Sequence, residues 1–537
     1  AWNVVPDTIA SLLSYEAERK MLSGLRELPR YTELYKKRKP LLRFSVSQNV
    51  LSGMSTLTLL YPCVTLAEAV DPLKLALTLS DDGPASRELV RHHAREIIIE
   101  KLRGAGVTLD HIDGRGDQRW HWASLAILDG HYFPEARRWS GRQDGLYRIL
   151  DGGGDKEDGG GFSQHVAQFV KDIKPSDLGP MPNDLMDVLV ELALAGPAVC
   201  AHRGLMRKIP GCSKDNFDLL RASGRIADGF RTLFNLPETI GLLREDEETF
   251  PHWRRALQHG IEGNLQAVMD EYVHNLFESL GLSGHEGDYE KVFGELAEEI
   301  CTALSLRTAR IDMEEMGFKD HGRAIDPRRV GMRTRFALRF GEIRDDSGER
   351  LARAGVVRQS FNSPFRPFVL ATTSVGQEGL DFHPYCHVVY HWNLPSNPVD
   401  MEQREGRVHR YKGHAVRKNI ALKYGLDTVR QHYRGKGDPW DILFKIAVKE
   451  RDKGASDLIP YWIFELEEGY KVERRVPIYP LSREESYYKH LKQSLALYRL
   501  VFGQPRQEDL LAHLERRVVG GEKDLDKWRI SLAPPGS

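Results

Sequence analysis

Ala371 to Phe382 (ATTSVGQEGLDF) and Gln403 to Arg410 (QREGRVHR) carry most of the information about the fold of this chain. The first follows an apolar run, 368–373, that predicts a buried strand ending in hydroxyl residues. The second lies on a predicted helix, 397–410, that begins beside Pro398, a residue suited to a first helical turn. A strand, a glycine-containing turn and a helix in this order predict a parallel α/β domain.

Further segments extend the alternation of strands and helices. Strands are predicted over 333–340 (RTRFALRF), 387–392 and 419–423, and a helix over 7–25. Residues 183–310 are typical of helices, and 484–516 are predicted to be helical again. The predicted fold class is therefore α/β, with a parallel sheet domain beside a large, mostly helical region.

The first stretch has groups that suit phosphate chemistry. Thr373 and Ser374 follow the predicted strand, where hydroxyls and free backbone amides can contact phosphates. Asp381, after the glycine turn at Gly379, can accept a hydrogen bond from a ribose hydroxyl. This stretch alone is a weak signal.

The second stretch places two guanidinium groups on one helix face, since Arg407 and Arg410 are three residues apart. Two such groups can clamp a terminal phosphate and stabilise charge during phosphoryl transfer. Gly406 would let another backbone approach closely. The alternatives are that both arginines form surface ion pairs, or that the pattern is coincidental.

Together the two stretches resemble motifs V and VI of the superfamily-two helicases and translocases, in order, spacing and predicted secondary structure. The resemblance implies a RecA-like domain that binds ATP with Mg²⁺ and contacts nucleic acid. It implies arginine fingers at Arg407 and Arg410. It also implies nucleotide contacts or coupling at Gly379, Asp381, Gln403 and Gly406, and nucleic-acid contacts at Thr373 and Ser374.

The resemblance covers only part of the chain. Residues 1–20 and 333–425 would form the second RecA-like domain, since Trp2 to Ala10 resembles its first strand, after motif IV. Residues 21–332 would be a helical insertion, and 426–537 a C-terminal extension. The bacterial Swi/Snf-like branch is closest in character, although Gly406 stands where that branch usually has Asp.

Two motifs of an ATP site are missing. The sequence has no G-x-x-x-x-G-K-[ST], and no D-E-x-[DH] box follows an apolar strand. We expect the phosphate loop and the Mg²⁺ ligands on an N-terminal RecA-like domain, in the same polypeptide or on another. The opening at Ala1 suggests a fragment that is inactive alone. A non-catalytic binding module and one subunit of a split helicase remain alternatives.

Composition adds weaker expectations. The formal net charge is −1, so nucleic-acid binding, with DNA expected rather than RNA, would rely on local basic regions. A functional role is favoured for the basic region 401–420, whereas the basic region 26–40 is expected to be a solvated surface rather than a nucleic-acid groove. Five scattered cysteines are typical of a cytoplasmic-type compartment. We expect no membrane span, because no apolar run of about 18 residues stands out.

Three other patterns have simpler interpretations. The aromatic run 120–122 could stack on bases, but core packing is expected. The histidines at 383, 387 and 391 do not share a helix face and predict no metal site. The glycine-rich segment 151–162 is acidic and predicts a surface loop rather than a phosphate loop.

Overall fold

The computed structural model describes residues 4–21, 40–48, 50–79, 85–109, 115–150, 161–243, 250–306, 310–319, 324–340, 353–373 and 380–501. The chain divides into two compact units. Unit 1 comprises Ala1–Thr373 and Leu426–Ile442, and unit 2 comprises Ser374–Gly425 and Leu443–Ser537. The borders of these two units differ from those of the four predicted segments. The assignment of the four segments remains a prediction.

Helices dominate the part of the chain that the structure describes. They are α1 Val4–Met21, α2 Met54–Leu60, α3 Val64–Ala69, α4 Pro72–Thr78, α5 Arg87–Gly104, α6 Trp120–Tyr132, α7 Pro134–Gly141, α8 Gly161–Phe169, α9 Leu185–Ala195, α10 Pro197–Lys208, α11 Phe217–Phe234, α12 Pro237–Leu242, α13 His252–Glu262, α14 Leu265–Ser279, α15 Tyr289–Leu304, α16 Arg353–Phe361, α17 Pro398–Gly406, α18 His414–His432, α19 Pro439–Lys449 and α20 Glu484–Val501. The strands are β1 Ser45–Ser47, β2 Val50–Ser52, β3 Arg310–Lys319, β4 Ala324–Arg333, β5 Ala337–Phe340, β6 Val369–Thr372, β7 Val388–Tyr390 and β8 Glu473–Arg475.

The core of unit 1 is a layered helical body. Helix α11 packs against α10 and α15, and α10 packs against α14. Apolar side chains repeat at helical spacing on these faces, for example Val292, Leu296 and Ile300, all fully buried. The helical character predicted for 183–310 is observed, and the aromatic run 120–122 is buried in this core.

One stretch of this body, Leu185–Lys208, is long and apolar enough to cross a membrane by length and composition. In the structure it forms α9 and α10, and 94% of its apolar window is buried among other helices. The burial explains the apolar composition, because a helix surrounded by protein is hydrophobic on every face.

A small parallel sheet lies in the same unit. β5 pairs with β6 in parallel, with Ala337 opposite Val369, and α1 packs on both strands. The hydroxyl of Ser14 accepts the backbone N–H groups of Arg335 at 2.7 Å and Phe336 at 3.1 Å. The N-terminal helix is therefore tied to the chain that leads into this sheet.

Unit 2 holds the second parallel pair. β7 pairs with β8, with Val388 opposite Glu473, and α17 contacts α20. Each parallel pair is two-stranded among the described residues. Strands are present within the predicted 368–373 and 387–392, and 337–340 of the predicted 333–340 pairs with β6. The helix beside Pro398 is present, but it ends at Gly406 rather than at Arg410. The prediction that Arg407 and Arg410 share one helix face is therefore wrong, because both follow the end of α17.

Two other local predictions are wrong. Residues 419–423 lie in α18 rather than in a strand, because Val416, Ile420 and Tyr424 are buried at a spacing of four residues. The stretch from Val4 to Ala10 is helical from its first described residue, although its two valines resemble the start of a strand. The predicted loop 151–162 lies outside the described residues except for the last two, which begin α8.

Candidate functional site

The ends of the two diagnostic stretches meet in unit 2. The backbone N–H of Phe382 donates to the carbonyl oxygen of Arg407 at 2.9 Å. The Arg407 Nη1 group lies 3.4 Å from the carbonyl oxygen of Leu380. Segments that are separated by more than twenty residues in sequence are therefore joined through both backbone and side chain.

Two of the predicted site residues form an ion pair. Arg410 Nε donates to Asp381 Oδ1 at 2.9 Å, and their side chains are 39% and 53% exposed. The alternative of a surface ion pair thus describes Arg410 in this structure. Because the pair is exposed, a ligand can compete for either partner at low cost.

Arg407 differs from Arg410 in its surroundings. Its side chain is half-buried, and its Nε is a buried donor without a hydrogen-bond partner among the described residues. Guanidinium donors are rarely left unused when buried. A half-buried guanidinium group with a spare donor is chemically suited to an anionic group such as a phosphate of the ATP that the resemblance implies.

Helix α17 presents the rest of the second stretch. The Asn397 side chain caps it by accepting the backbone N–H of Val399 at 2.9 Å, and proline occupies the first turn. Gln403 is exposed on this helix. A Cβ at Gly406 would meet no described atom within 4 Å, so the space beside it is open to a ligand.

The two predicted nucleic-acid contacts, Thr373 and Ser374, remain predictions. Thr373, half-exposed at the end of β6, belongs to unit 1, whereas Asp381, Arg407 and Arg410 belong to unit 2. Ser374 and Gly379 lie outside the described residues.

A three-residue network that the sequence did not indicate lies behind the second stretch. Glu405, in the last turn of α17, contacts His391 Nε2 at 3.0 Å through Oε1. Arg474 of β8 donates its Nη2 to Glu405 Oε2 at 2.6 Å and its Nε to Oε1. Burial raises the pKa of Glu405, but the hydrogen bonds from His391 and Arg474 outweigh it and lower that pKa to about 2.

The histidines considered as metal ligands have separate roles. His391 is fully buried against Glu405, and His387 Nδ1 lies 3.0 Å from His414 Nδ1. Burial lowers the pKa of His383 to about 4 and that of His414 to about 3. The rings of His383 and His414 are therefore neutral near pH 7.

A second polar cluster lies in unit 1. His274, Glu278 and Asp441 place potential metal-ligating atoms within 4.8 Å of one another. The Lys208 ammonium lies 3.0 Å from Asp441 Oδ1 and 2.9 Å from Asp438 Oδ2. Because a protein cation already neutralises these carboxylates, we interpret the cluster as a structural anchor for 426–442.

Comparisons with known proteins agree with the geometry. The family described as "Helicase conserved C-terminal domain" matches residues 353–412. This chain is similar to the uncharacterized ATP-dependent helicase YqhH of Bacillus subtilis (strain 168), with 29% identity over 117 residues. That match covers 20% of this chain and 21% of the relative, so the chain spans about a fifth of that relative's length. No solved structure matches the chain.

These findings support a helicase C-terminal domain over residues 353–412, in agreement with the resemblance. The family implies a RecA-like α/β fold for this part. The Swi/Snf-like branch and the large insertion remain predictions.

Proposed function

We propose that this chain supplies the C-terminal RecA-like half of an ATP-dependent nucleic-acid helicase or translocase. The observation that carries the proposal is the junction of the two diagnostic stretches. Phe382 and Leu380 are hydrogen-bonded to Arg407, within a segment that matches the helicase C-terminal domain. The similarity to an ATP-dependent helicase supports the use of ATP, usually with Mg²⁺.

In this proposal the two arginines act on the terminal phosphate of ATP. Arg407 offers a buried guanidinium donor that can hydrogen-bond to a phosphate oxygen, and the exposed Arg410 can exchange Asp381 for the nucleotide. A positively charged guanidinium fixed beside the transferred phosphoryl group stabilises the charge of the transition state. Asp381, once released, can accept a hydrogen bond from a ribose hydroxyl.

The remaining site residues would couple the nucleotide to nucleic acid. Gln403 and Gly406 lie at the exposed end of α17, and Thr373 and Ser374 would touch the nucleic-acid backbone. ATP and Mg²⁺ would also need the phosphate loop and metal ligands of an N-terminal RecA-like domain, in the same polypeptide or in a partner. DNA is the proposed nucleic acid, and the cytoplasm the proposed location.

The test uses the complete native polypeptide and its nucleic-acid-stimulated ATPase activity. Arg407→Ala should lower kcat on the order of 10³-fold, whereas Arg475→Ala should change it less than about twofold. Arg475 is a matched control because it pairs with Glu473 on the exposed edge of β8 in the same unit. An unchanged kcat in the Arg407 variant would refute the role of this arginine as a finger.

The two alternatives make different predictions. A split helicase requires a separate ATPase subunit that co-purifies with this chain and restores hydrolysis. A non-catalytic module would bind nucleic acid with no ATPase activity in any preparation. Reading the gene upstream of the codon for Ala1 tests the single-chain motor against both alternatives. A phosphate-loop motif followed by a D-E-x-[DH] box would support a single-chain motor, and a start codon directly upstream would leave the two alternatives.

A further inference from the structure

We infer that Glu405 and Arg474 form a positioning pair for the second diagnostic stretch, so that β8 is a working part of the nucleotide site. The inference rests on the proposed function and deepens it. Arg474 lies 62 residues beyond the end of the helicase family match at residue 412. It belongs to the region predicted as a separate C-terminal extension.

The side chain of Glu405 joins three elements of unit 2. It extends from the last turn of α17 to His391, directly after β7, and to Arg474 in β8. The contact with Arg474 uses both carboxylate oxygens and two guanidinium nitrogens. Such a two-point pair fixes orientation as well as distance.

The backbone of Glu405 stabilises the turn that follows α17. Its carbonyl oxygen accepts the N–H groups of Val408 and His409, both at 3.0 Å. In sequence, Arg407 lies between Glu405 and Val408, and Arg410 directly follows His409. Rotation of the turn would therefore move both arginines.

The environment of the pair favours a fixed arrangement. The side chains of Glu405 and Arg474 are 18% and 25% exposed, and the His391 side chain is completely buried. Glu405 and, more weakly, Tyr488 of α20 raise the pKa of Arg474. A largely enclosed, doubly bonded carboxylate loses little to salt screening, in contrast to the open Arg410–Asp381 pair.

The neighbouring residues on β8 provide a matched control. Glu473 and Arg475 also form an ion pair, with Nη2 and Oε2 2.6 Å apart, but their side chains are 43% and 58% exposed and they contact no residue of α17 in the described hydrogen bonds and ion pairs. Arg474→Gln and Arg475→Gln thus remove the same charge from adjacent positions of one strand.

The experiment combines kinetics with amide hydrogen exchange in the complete native polypeptide. Arg474→Gln should lower kcat for ATP on the order of 10²-fold, the effect of a displacement of about 1 Å at catalytic groups, with KM changed less than threefold. The amides of Val408 and His409 should exchange at least tenfold faster. Arg475→Gln should change neither quantity. Glu405→Gln, which keeps the side-chain shape, should reproduce Arg474→Gln if the latter folds poorly.

A double variant tests whether the pair acts through the arginine. Arg474→Gln combined with Arg407→Ala should be no slower than Arg407→Ala alone, because the two changes disable one unit. Unchanged amide exchange at Val408 and His409 in Arg474→Gln would overturn the inference. A lower melting temperature of this variant with unaltered kcat and unaltered exchange would also overturn it. If Arg407→Ala leaves the ATPase intact, the proposed function fails, and the exchange data alone decide whether the pair positions this turn.

Discussion

Arg410 Nε and Asp381 Oδ1 lie 2.9 Å apart, joining two residues that the sequence predicts, in different motifs, to contact the nucleotide. Both side chains are more than one-third exposed, so their mutual attraction contributes little to stability. In the proposed function, the two groups are held near each other and can each turn to a nucleotide.

The carboxylate of Asp381 should distinguish ribose from its deoxy analogues. In the complete native polypeptide, we expect KM for 2′,3′-dideoxy-ATP to exceed that for ATP by about tenfold or more, since a hydrogen bond to a charged group contributes about 1.5–3 kcal/mol. Asp381→Asn should reduce this ratio towards one. Glu473→Gln, at a similarly exposed carboxylate, should preserve it; a preserved ratio in Asp381→Asn would remove the ribose contact.

The anchor of the segment Leu426–Ile442 should be a strong stabilising element of unit 1. Lys208 is buried, and although burial lowers its pKa, Asp438 and Asp441 raise it above its ordinary value. Lys208→Met leaves the buried Asp438 carboxylate without this cation, which should cost about 3–5 kcal/mol of unfolding free energy. Chemical denaturation monitored by circular dichroism would measure this loss.

Its control is an exposed lysine. Lys489→Met breaks the contact with Glu485, in which both side chains are more than half exposed, and should cost less than about 0.5 kcal/mol. Adding Asp438→Asn to Lys208→Met should recover part of the stability. Equal losses for the two lysine variants would show that the buried cluster is not an anchor.

Protonation of His202 should weaken unit 1 in acid. Burial lowers the pKa of His202 to about 4, and the ring contacts the carbonyl oxygen of Lys214 at 2.7 Å through Nε2. Since the unfolded histidine binds a proton near pH 6.5, its contribution is complete above that pH. This stabilising contribution of His202 is lost as the pH falls from about 6.5 to 4. The free energy of unfolding then decreases by an amount approaching about 1.4 kcal/mol per pH unit.

The comparison of wild type with His202→Asn isolates this group. The asparagine side chain can still donate to a carbonyl but does not titrate, so the stability difference between the two proteins should shrink as the pH falls from 6.5 to 4. Denaturation midpoints across that range give the difference. A constant difference would mean that His202 does not titrate with unfolding.

The helical body should respond to loss of core volume at α10. Leu205 is fully buried, and Leu205→Ala should cost about 2–5 kcal/mol. The same substitution at Leu12, which is 59% exposed on α1, should cost less than about 1 kcal/mol. Thermal unfolding of both variants measures the contrast, and similar melting temperatures would contradict the packing described for α10.

The sequence predicted the elements whose local pattern was strong. An apolar run followed by hydroxyls predicted β6, and Pro398 marked the start of α17. The strand prediction at 419–423 was wrong because a pattern of only five residues does not distinguish a strand from a buried helical turn. Val416 and Tyr424, which flank this run, are both buried, and their spacing is that of one helix face.

Other features had no local signal at all. β8 consists of Glu473, Arg474 and Arg475, which do not resemble a strand by composition, so its pairing with β7 and the contact with Glu405 were not predicted. The bonds from Lys208 to Asp438 and Asp441 cross more than 200 positions. Such contacts depend on tertiary structure, which periodicity does not report.

The division of the chain has a practical consequence for genetics. The polypeptide passes from one compact unit to the other after Thr373, Gly425 and Ile442. No single cut in the gene therefore yields either unit whole, and a deletion that appears to remove only the C-terminal region would also take 426–442 from the helical body. Complementation with paired gene fragments would have to respect three borders rather than one.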